Sequence, residues 1–208
     1  MGDPHRIETV AQLREMISEP PKFMHEFKGK LILDEERAFI ERSPLLLLAT
    51  CNRDGQMDVS PKGDAPGFAI VEDEKTLVIP DRPGNHLAYG HLNILSNPRV
   101  GVIFLVPGTP ETVRVNGSAE LTREPALLAR LAARNRPAEL ATRVHVEECF
   151  FHCGKALLRS ELWKPETWGK RMKVSFGEMF AKRNLEDPNP DTARNVDAAI
   201  ERDYRENL

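Results

Sequence analysis

The sequence predicts a mainly β fold, a small antiparallel barrel with helical segments before and after it. Three observations predict it. Between residues 45 and 151 the chain is a series of short apolar or alternating runs, each bounded by turn residues. Two connections, Asn52-Arg53-Asp54-Gly55 and Glu72-Asp73-Glu74-Lys75, have hairpin length, and Asp-Gly supplies the positive φ of a tight turn. A single helical pattern, at 85–95, interrupts the strands. Six or seven hairpin-connected strands are best satisfied by curling the sheet on itself, because closure removes unpaired edges.

The first forty residues read as helical. Val10, Leu13, Met16 and Ile17 recur at helical spacing after Thr9, a good N-cap, and Pro20-Pro21 ends that helix. Asp34 caps a second helix to Arg42, with Ala38 and Phe39 as its apolar positions. Strands follow at 45–51, a buried apolar run, and at 56–62, where Met57, Val59 and Pro61 alternate with Asp58, Ser60 and Lys62. Pro61 has no amide donor, so this strand belongs at an edge, a bulge or a strand end. A second hairpin joins 68–71 to 76–80. The helix at 85–95 presents Leu87, Leu92, Ile94 and Leu95, and Asn97-Pro98 breaks it. The near-continuous apolar run 100–106 is a central strand. A long alternating strand spans 111–121, a helix 125–134, and the last strand 143–151 alternates imperfectly. A short helix or turn at 155–163 leads to a polar tail with helical patches near 176–182 and 193–205. The chain thus divides into a helical extension (1–43), the barrel (44–163) and a helical tail (164–208).

Composition narrows the function. Lys and Arg number 29 against 32 Asp and Glu, a formal charge of −3, which argues against a general nucleic-acid binder. No run approaches the roughly 18 apolar residues of a spanning helix, and the start Met-Gly-Asp-Pro-His-Arg is not a signal peptide. Three cysteines, an odd number, point to free thiols in a reducing compartment and so to the cytoplasm.

The common catalytic signatures are missing: no nucleophile elbow, no His-Glu-x-x-His, no P-loop and no dinucleotide fingerprint. Glu35/Glu36 and Glu72–Glu74 read as solvated acids of a helix start and a turn. Cys149 and Cys153 flank His152, but the spacing suits no common zinc site and no second cluster exists. Buried thiols on a strand are the simpler reading. The informative constellation is basic and polar: Lys62 closes one strand, Arg82 lies in Asp81-Arg82-Pro83-Gly84, and Asn85 opens the next helix. A Pro/Gly loop that feeds a helix presents free N–H groups, and with Lys and Arg nearby it suits a phosphate. Asp81 would repel that phosphate unless it pairs with Arg82 or serves the turn.

Five stretches, in this order and spacing, carry a resemblance. They are Leu-Ala-Thr-Cys-Asn-Arg-Asp-Gly (48–55), Asp-Val-Ser-Pro-Lys-Gly-Asp (58–64), Ile-Pro-Asp-Arg-Pro-Gly-Asn (79–85), Asn-Ile-Leu-Ser-Asn-Pro-Arg-Val-Gly (93–101) and Arg-Val-Asn-Gly-Ser-Ala (114–119). The chain resembles the pyridoxamine 5′-phosphate oxidase-related family of flavin-binding split barrels. The segment Phe-Phe-His-Cys-Gly-Lys-Ala (150–156) resembles a strand-end motif of one branch of that family.

The resemblance implies a homodimer of six-stranded antiparallel split barrels with FMN in a groove between the subunits. It assigns Ser60 and Lys62 to the strand that ends at the FMN phosphate, and the main chain of Ile79 and Pro80 to the strand beside the isoalloxazine. The family's next basic pair falls within 82–86, where its Ser-Arg-Lys is replaced by Arg-Pro-Gly-Asn-His, so Arg82 and Asn85 carry over. Thr112 stands where the oxidase places a flavin-contacting Gln. Arg114 shares that strand face and suits the pyrimidine end of the ring system. Lys155 and Trp163 would line the groove from its far end. Nothing after Trp163 matches the oxidase's vitamin-gripping Arg segment, so the resemblance carries FMN and leaves the substrate open. The implied activity is an FMN-dependent oxidoreduction of a small molecule, with NADH or NADPH as one possible donor. The alternatives are a flavin or haem carrier, with His145 or His152 as axial ligand, and a deazaflavin-dependent reductase. His86 and His91 read as structural or surface residues.

Overall fold

The computed structural model describes residues 3, 5–183 and 190–206. Seven strands form one antiparallel sheet among the described residues: β1 (Leu45–Cys51), β2 (Met57–Gly63), β3 (Ile70–Asp73), β4 (Thr76–Asp81), β5 (Arg99–Leu105), β6 (Thr112–Thr122) and β7 (Leu140–His152). Their order is β2-β1-β5-β6-β7-β4-β3, one strand more than the six implied by resemblance. Helices α1 (Val10–Met16), α2 (Phe23–Glu26) and α3 (Asp34–Arg42) precede the sheet. α4 (Tyr89–Ser96) and α5 (Pro125–Arg130) interrupt it, and α6 (Lys155–Arg159), α7 (Phe176–Arg183) and α8 (Pro190–Glu206) follow it. None is long and apolar enough to cross a membrane.

The sheet curls until strands far apart in its order share one core. Leu46 and Leu48 of β1, near one end, lie in the same buried cluster as Leu77 and Ile79 of β4, near the other. Phe104, Val113, Val115 and Val144 fill the space between them. A smaller cluster lies on the outer side of β4, where Val78 meets Leu127 and Leu131 of the α5 segment and Ala141 of β7. β4 is therefore buried on both faces, which is why Thr76–Asp81 reads as continuous rather than alternating.

Local chemistry explains most elements. Thr9 caps α1 with Gln12 in a reciprocal capping box. The cap of α3 differs from the expectation: Leu33 precedes the helix, Glu36 reaches back to its N–H at 3.2 Å, and Asp34 lies in the first turn. Ile40 rather than Ala38 anchors α3 in the core. The Asn52–Gln56 turn is closed by Asn52 Oδ1, which accepts from the N–H groups of Asp54 and Gln56, with Gly55 at φ +81°. β2 is an edge strand, as Pro61 requires.

The imperfect alternation of β7 has a defined cause. Asn116 pairs with Glu148 but Gly117 pairs with Val146, so β7 carries one extra residue, Glu147. This bulge flips the strand's parity, and the inward positions change from Val144 and Val146 to Cys149. Gly117 sits at the bulge because a Cβ there would run into the His145 carbonyl oxygen.

Two helices depart from the sequence expectation. α4 begins at Tyr89, four residues later than the pattern suggests, because His86 and Ala88 adopt left-handed φ of 59° and 52°. Of its four expected apolar contacts only Ile94 is buried; Leu87, Leu92 and Leu95 face outward. α5 ends at Arg130, and a turn with Arg134 and Asn135 in left-handed geometry carries the chain to β7. In the tail, α7 and α8 form a hairpin in which Gly177 lies directly against the Ala193 backbone.

Candidate functional site

The site is assembled where the two open sides of the sheet approach each other. β2 alternates: Met57, Val59 and Pro61 are exposed, while Asp58, Ser60 and Lys62 are half-buried on the opposite side. β4 ends at Asp81. Two ion pairs join these segments in a crossed pattern. Lys62 Nζ donates to Asp81 Oδ1 at 2.6 Å, and Arg82 Nε donates to Asp64 Oδ2 at 2.9 Å. Of the two roles open to Asp81, pairing with Arg82 or serving the turn, the first is replaced by these crossed pairs. Adjacent residues of an extended strand point to opposite sides, so each cation meets the carboxylate of the other segment. All four side chains are about three-quarters or more buried.

The pairs border a cleft of about 810 Å³. Of the residues expected at a cofactor site, Ser60, Lys62, Pro80, Arg82 and Asn85 line it. The Ile79 side chain does not; it is buried in the core, and only its main chain can face outward. That main chain has a free side, because β3 pairs with β4 only as far as Val78, while β7 covers the other side. Arg82 is more committed than expected: a second donor, its Nη1, is spent on the Leu131 carbonyl at 2.8 Å. Asn85 Oδ1 accepts from the Leu87 N–H and shapes the loop.

Two cations on the cleft wall were not foreseen. Arg134 and Arg136 line it from the α5–β7 turn, and no ion pair or hydrogen bond engages either side chain among the described residues. The helical reading of 125–134 hid them; the Arg-Asn-Arg-Pro sequence, a turn with two cations, was the available signal. Four non-glycine residues with positive φ, His86, Ala88, Arg134 and Asn135, lie in the two loops beside the cleft. Such backbone strain gathers at ligand clamps. Glu139 and Glu206 also line the cleft, the latter from the end of α8.

The remaining expected residues stand elsewhere. Thr112 is buried at the start of β6 opposite His152. Arg114 lies on the outer sheet face between Ile103 and Phe150, and its Nε is buried without a hydrogen-bond partner. Lys155 is exposed on α6, and Trp163 Nε1 donates to the Thr109 carbonyl at 2.9 Å. None of these four lines the cleft within one chain. His145 is exposed on β7 and His152 ends that strand; neither reaches the cleft. Cys149 is buried, and burial pushes its thiol up to about 12, while Cys153 is exposed.

His91, read from sequence as structural or surface, is neither remote nor free. Its Nε2 lies 3.5 Å from Asp81 Oδ1, on the oxygen that also accepts from Lys62. Burial holds the imidazole below its ordinary pKa; Asp81 opposes this and Lys62 adds to it.

The residues present fit a flavin mononucleotide. Lys62, Arg134 and Arg136 on the cleft wall form a donor set suited to its phosphate.

Comparison with known proteins gives three findings. Residues 32–153 match the model of the pyridoxamine 5′-phosphate oxidase family. No curated protein matches the chain. Among solved structures, HupZ of Group A Streptococcus is 22% identical, with 58% of this chain and 93% of that chain covered and a TM-score of 0.47. A pyridoxamine 5′-phosphate oxidase candidate from Lactobacillus delbrueckii is 26% identical over 59% of this chain and 98% of its own, at a TM-score of 0.46. An FMN-binding protein from Syntrophomonas wolfei is 12% identical over 58% and 85%, at 0.43.

Proposed function

The chain belongs to the pyridoxamine 5′-phosphate oxidase family, and from that premise we propose that it is an FMN-dependent oxidoreductase acting on a small molecule. The observation that carries the proposal is the cationic wall of the cleft: Lys62 lines it, bonded to Asp81, and Arg134 and Arg136 are unengaged among the described residues. These three hold the phosphate. Arg82 holds the loop that shapes its pocket, through Asp64 and the Leu131 carbonyl. The free main-chain edge at Ile79 and Pro80 would border the ring system.

FMN supplies the redox chemistry; the protein binds, orients and shields it. Arg114, brought to the cofactor by a second copy, would offer a cation to the pyrimidine end of the flavin, where negative charge develops on reduction.

The working unit is a homodimer. Lys62 and Arg82 stand at the cleft, whereas Thr112, Arg114, Lys155 and Trp163 stand apart from it, so a second copy is needed to bring both groups to one cofactor. Met57 and Val59 of β2, on the face of the strand away from α4, expose apolar surface that a second copy would cover.

Titration of the purified chain with FMN and with riboflavin tests the reading. Lys62→Ala combined with Arg136→Ala weakens FMN binding by roughly a hundredfold to ten-thousandfold, since charge-assisted hydrogen bonds are worth about 1.5–3 kcal/mol each. Riboflavin, which has no phosphate, binds the variant and the parent alike. Equal FMN affinity in both would remove the phosphate assignment, and failure of both flavins to bind would remove the flavin.

A further inference from the structure

We propose that His91 is the positioning residue of the anion site: when a phosphorylated ligand takes Lys62, the imidazole replaces Lys62 as the cation on Asp81, and binding draws one proton from solvent onto His91. The inference rests on the flavin reading above and deepens it.

The geometry is a shared oxygen. Asp81 Oδ1 accepts from Lys62 Nζ at 2.6 Å and lies 3.5 Å from His91 Nε2. The three side chains are only 21%, 20% and 14% exposed, so none can rely on water to replace a lost partner. A phosphate that recruits Lys62 would strip a mostly buried carboxylate of its cation, which is costly. The imidazole already faces that same oxygen, and His is the side chain whose charge changes near neutral pH. Protonation of His91 restores the neutral pair without moving the backbone.

The surroundings permit the exchange. α4 packs on β1, β2 and β6. β1 presents Thr50 there, uncharged and bonded to Asn93. β2 presents Lys62 and Asp58, the latter with Oδ2 3.5 Å from the place a Cβ on Gly90 would take. On β6, Glu120 is turned to Arg143 and Arg114 lies opposite Phe150. Asp81 and Lys62 are the charges that act on the imidazole. In the free chain, burial and Lys62 depress its pKa and Asp81 raises it. With an anion bound, the charge of Lys62 is offset while Asp81 remains, so the pKa rises.

The sign of the linkage follows. A group whose pKa rises on binding takes up a proton, and affinity falls as pH climbs from the free to the bound value. Ionisation of the phosphate, with a second pKa near about 6, acts in the opposite direction. The two effects are separable.

The experiment is calorimetric titration of the full chain with FMN from pH 6 to 9, in two buffers of different ionisation enthalpy. Riboflavin serves as the phosphate-free control. In the parent protein FMN binding takes up as much as about one proton, and Kd rises by up to about tenfold per pH unit. Riboflavin takes up none at this site, and His91→Gln abolishes the uptake with FMN. Titration of the His91 ring protons by NMR in the unaltered chain is the second measurement: its pKa is higher with FMN than without. If FMN binds with no proton uptake, or with the same uptake in His91→Gln, or leaves the His91 pKa in place, the exchange is wrong and the flavin reading stands. If neither flavin binds, both readings fall.

Discussion

At the scale of single residues, the two cations read from the sequence have different roles. Lys62 spends one donor on Asp81, whereas Arg82 bridges Asp64 and the Leu131 carbonyl and ties the end of β4 to the α5 segment. Lys62→Ala therefore lowers FMN affinity with a small change in stability, because His91 Nε2 stands 3.5 Å from the Asp81 oxygen that the lysine leaves and can take its place. Arg82→Ala costs about 2 kcal/mol of folding free energy, because it leaves a mostly buried carboxylate without its partner. Denaturant unfolding of the two variants side by side checks the division: an Arg82→Ala protein as stable as the parent would contradict it. Lys62 was legible in the sequence because it closes an alternating strand. Its bond to Asp81 was not, since the two stand 19 positions apart and meet only when the sheet curls.

At the scale of elements, the β6–β7 pair is decisive. It is the longest ladder in the sheet, and its register changes at Asn116/Gly117. Gly117→Ala forces a Cβ into the His145 carbonyl, which is backbone and cannot rotate away. The expected loss is about 3 kcal/mol, seen as a lower midpoint in thermal or denaturant unfolding; an unchanged midpoint would mean that the bulge tolerates a side chain. The sequence carried a trace of this feature in the broken alternation of 143–151, but alternation cannot say which residue is extra. The hairpin at Asn52–Gln56 was fully legible, because its turn is closed by bonds within five residues. The start of α4 was not: periodicity continues smoothly through 85–88, where the chain instead takes left-handed geometry at His86 and Ala88.

At the scale of the whole molecule, the question is what covers the outward apolar residues. Met57 and Val59 are exposed on the outer face of β2, and Leu92 and Leu95 on α4, although periodicity assigns the leucines to a buried face. In the proposed dimer another copy would cover Met57 and Val59. Val59→Asp places a charge in the seam without touching the barrel core, because Val59 is already 58% exposed in the single chain. Light scattering should find the parent as a dimer and the variant as a monomer with weakened FMN binding. A monomeric parent would remove the two-copy cofactor site.

The amino-acid sequence by itself determined the antiparallel class, the hairpins and the central apolar strands, because these follow from alternation, apolar runs and turn chemistry over a few neighbouring residues. It also marked Lys62, Arg82 and the Pro-Gly loop as a place for an anion. Only the tertiary structure decided that Asp81 answers to Lys62 and His91 while Asp64 answers to Arg82, that Arg134 and Arg136 join the wall, and that Thr112 and Arg114 stand apart from it. The physical reason is range. Backbone patterning is written in local sterics and hydrogen bonds, whereas an ion pair or a cleft depends on how a curled sheet brings its two sides within a few ångströms.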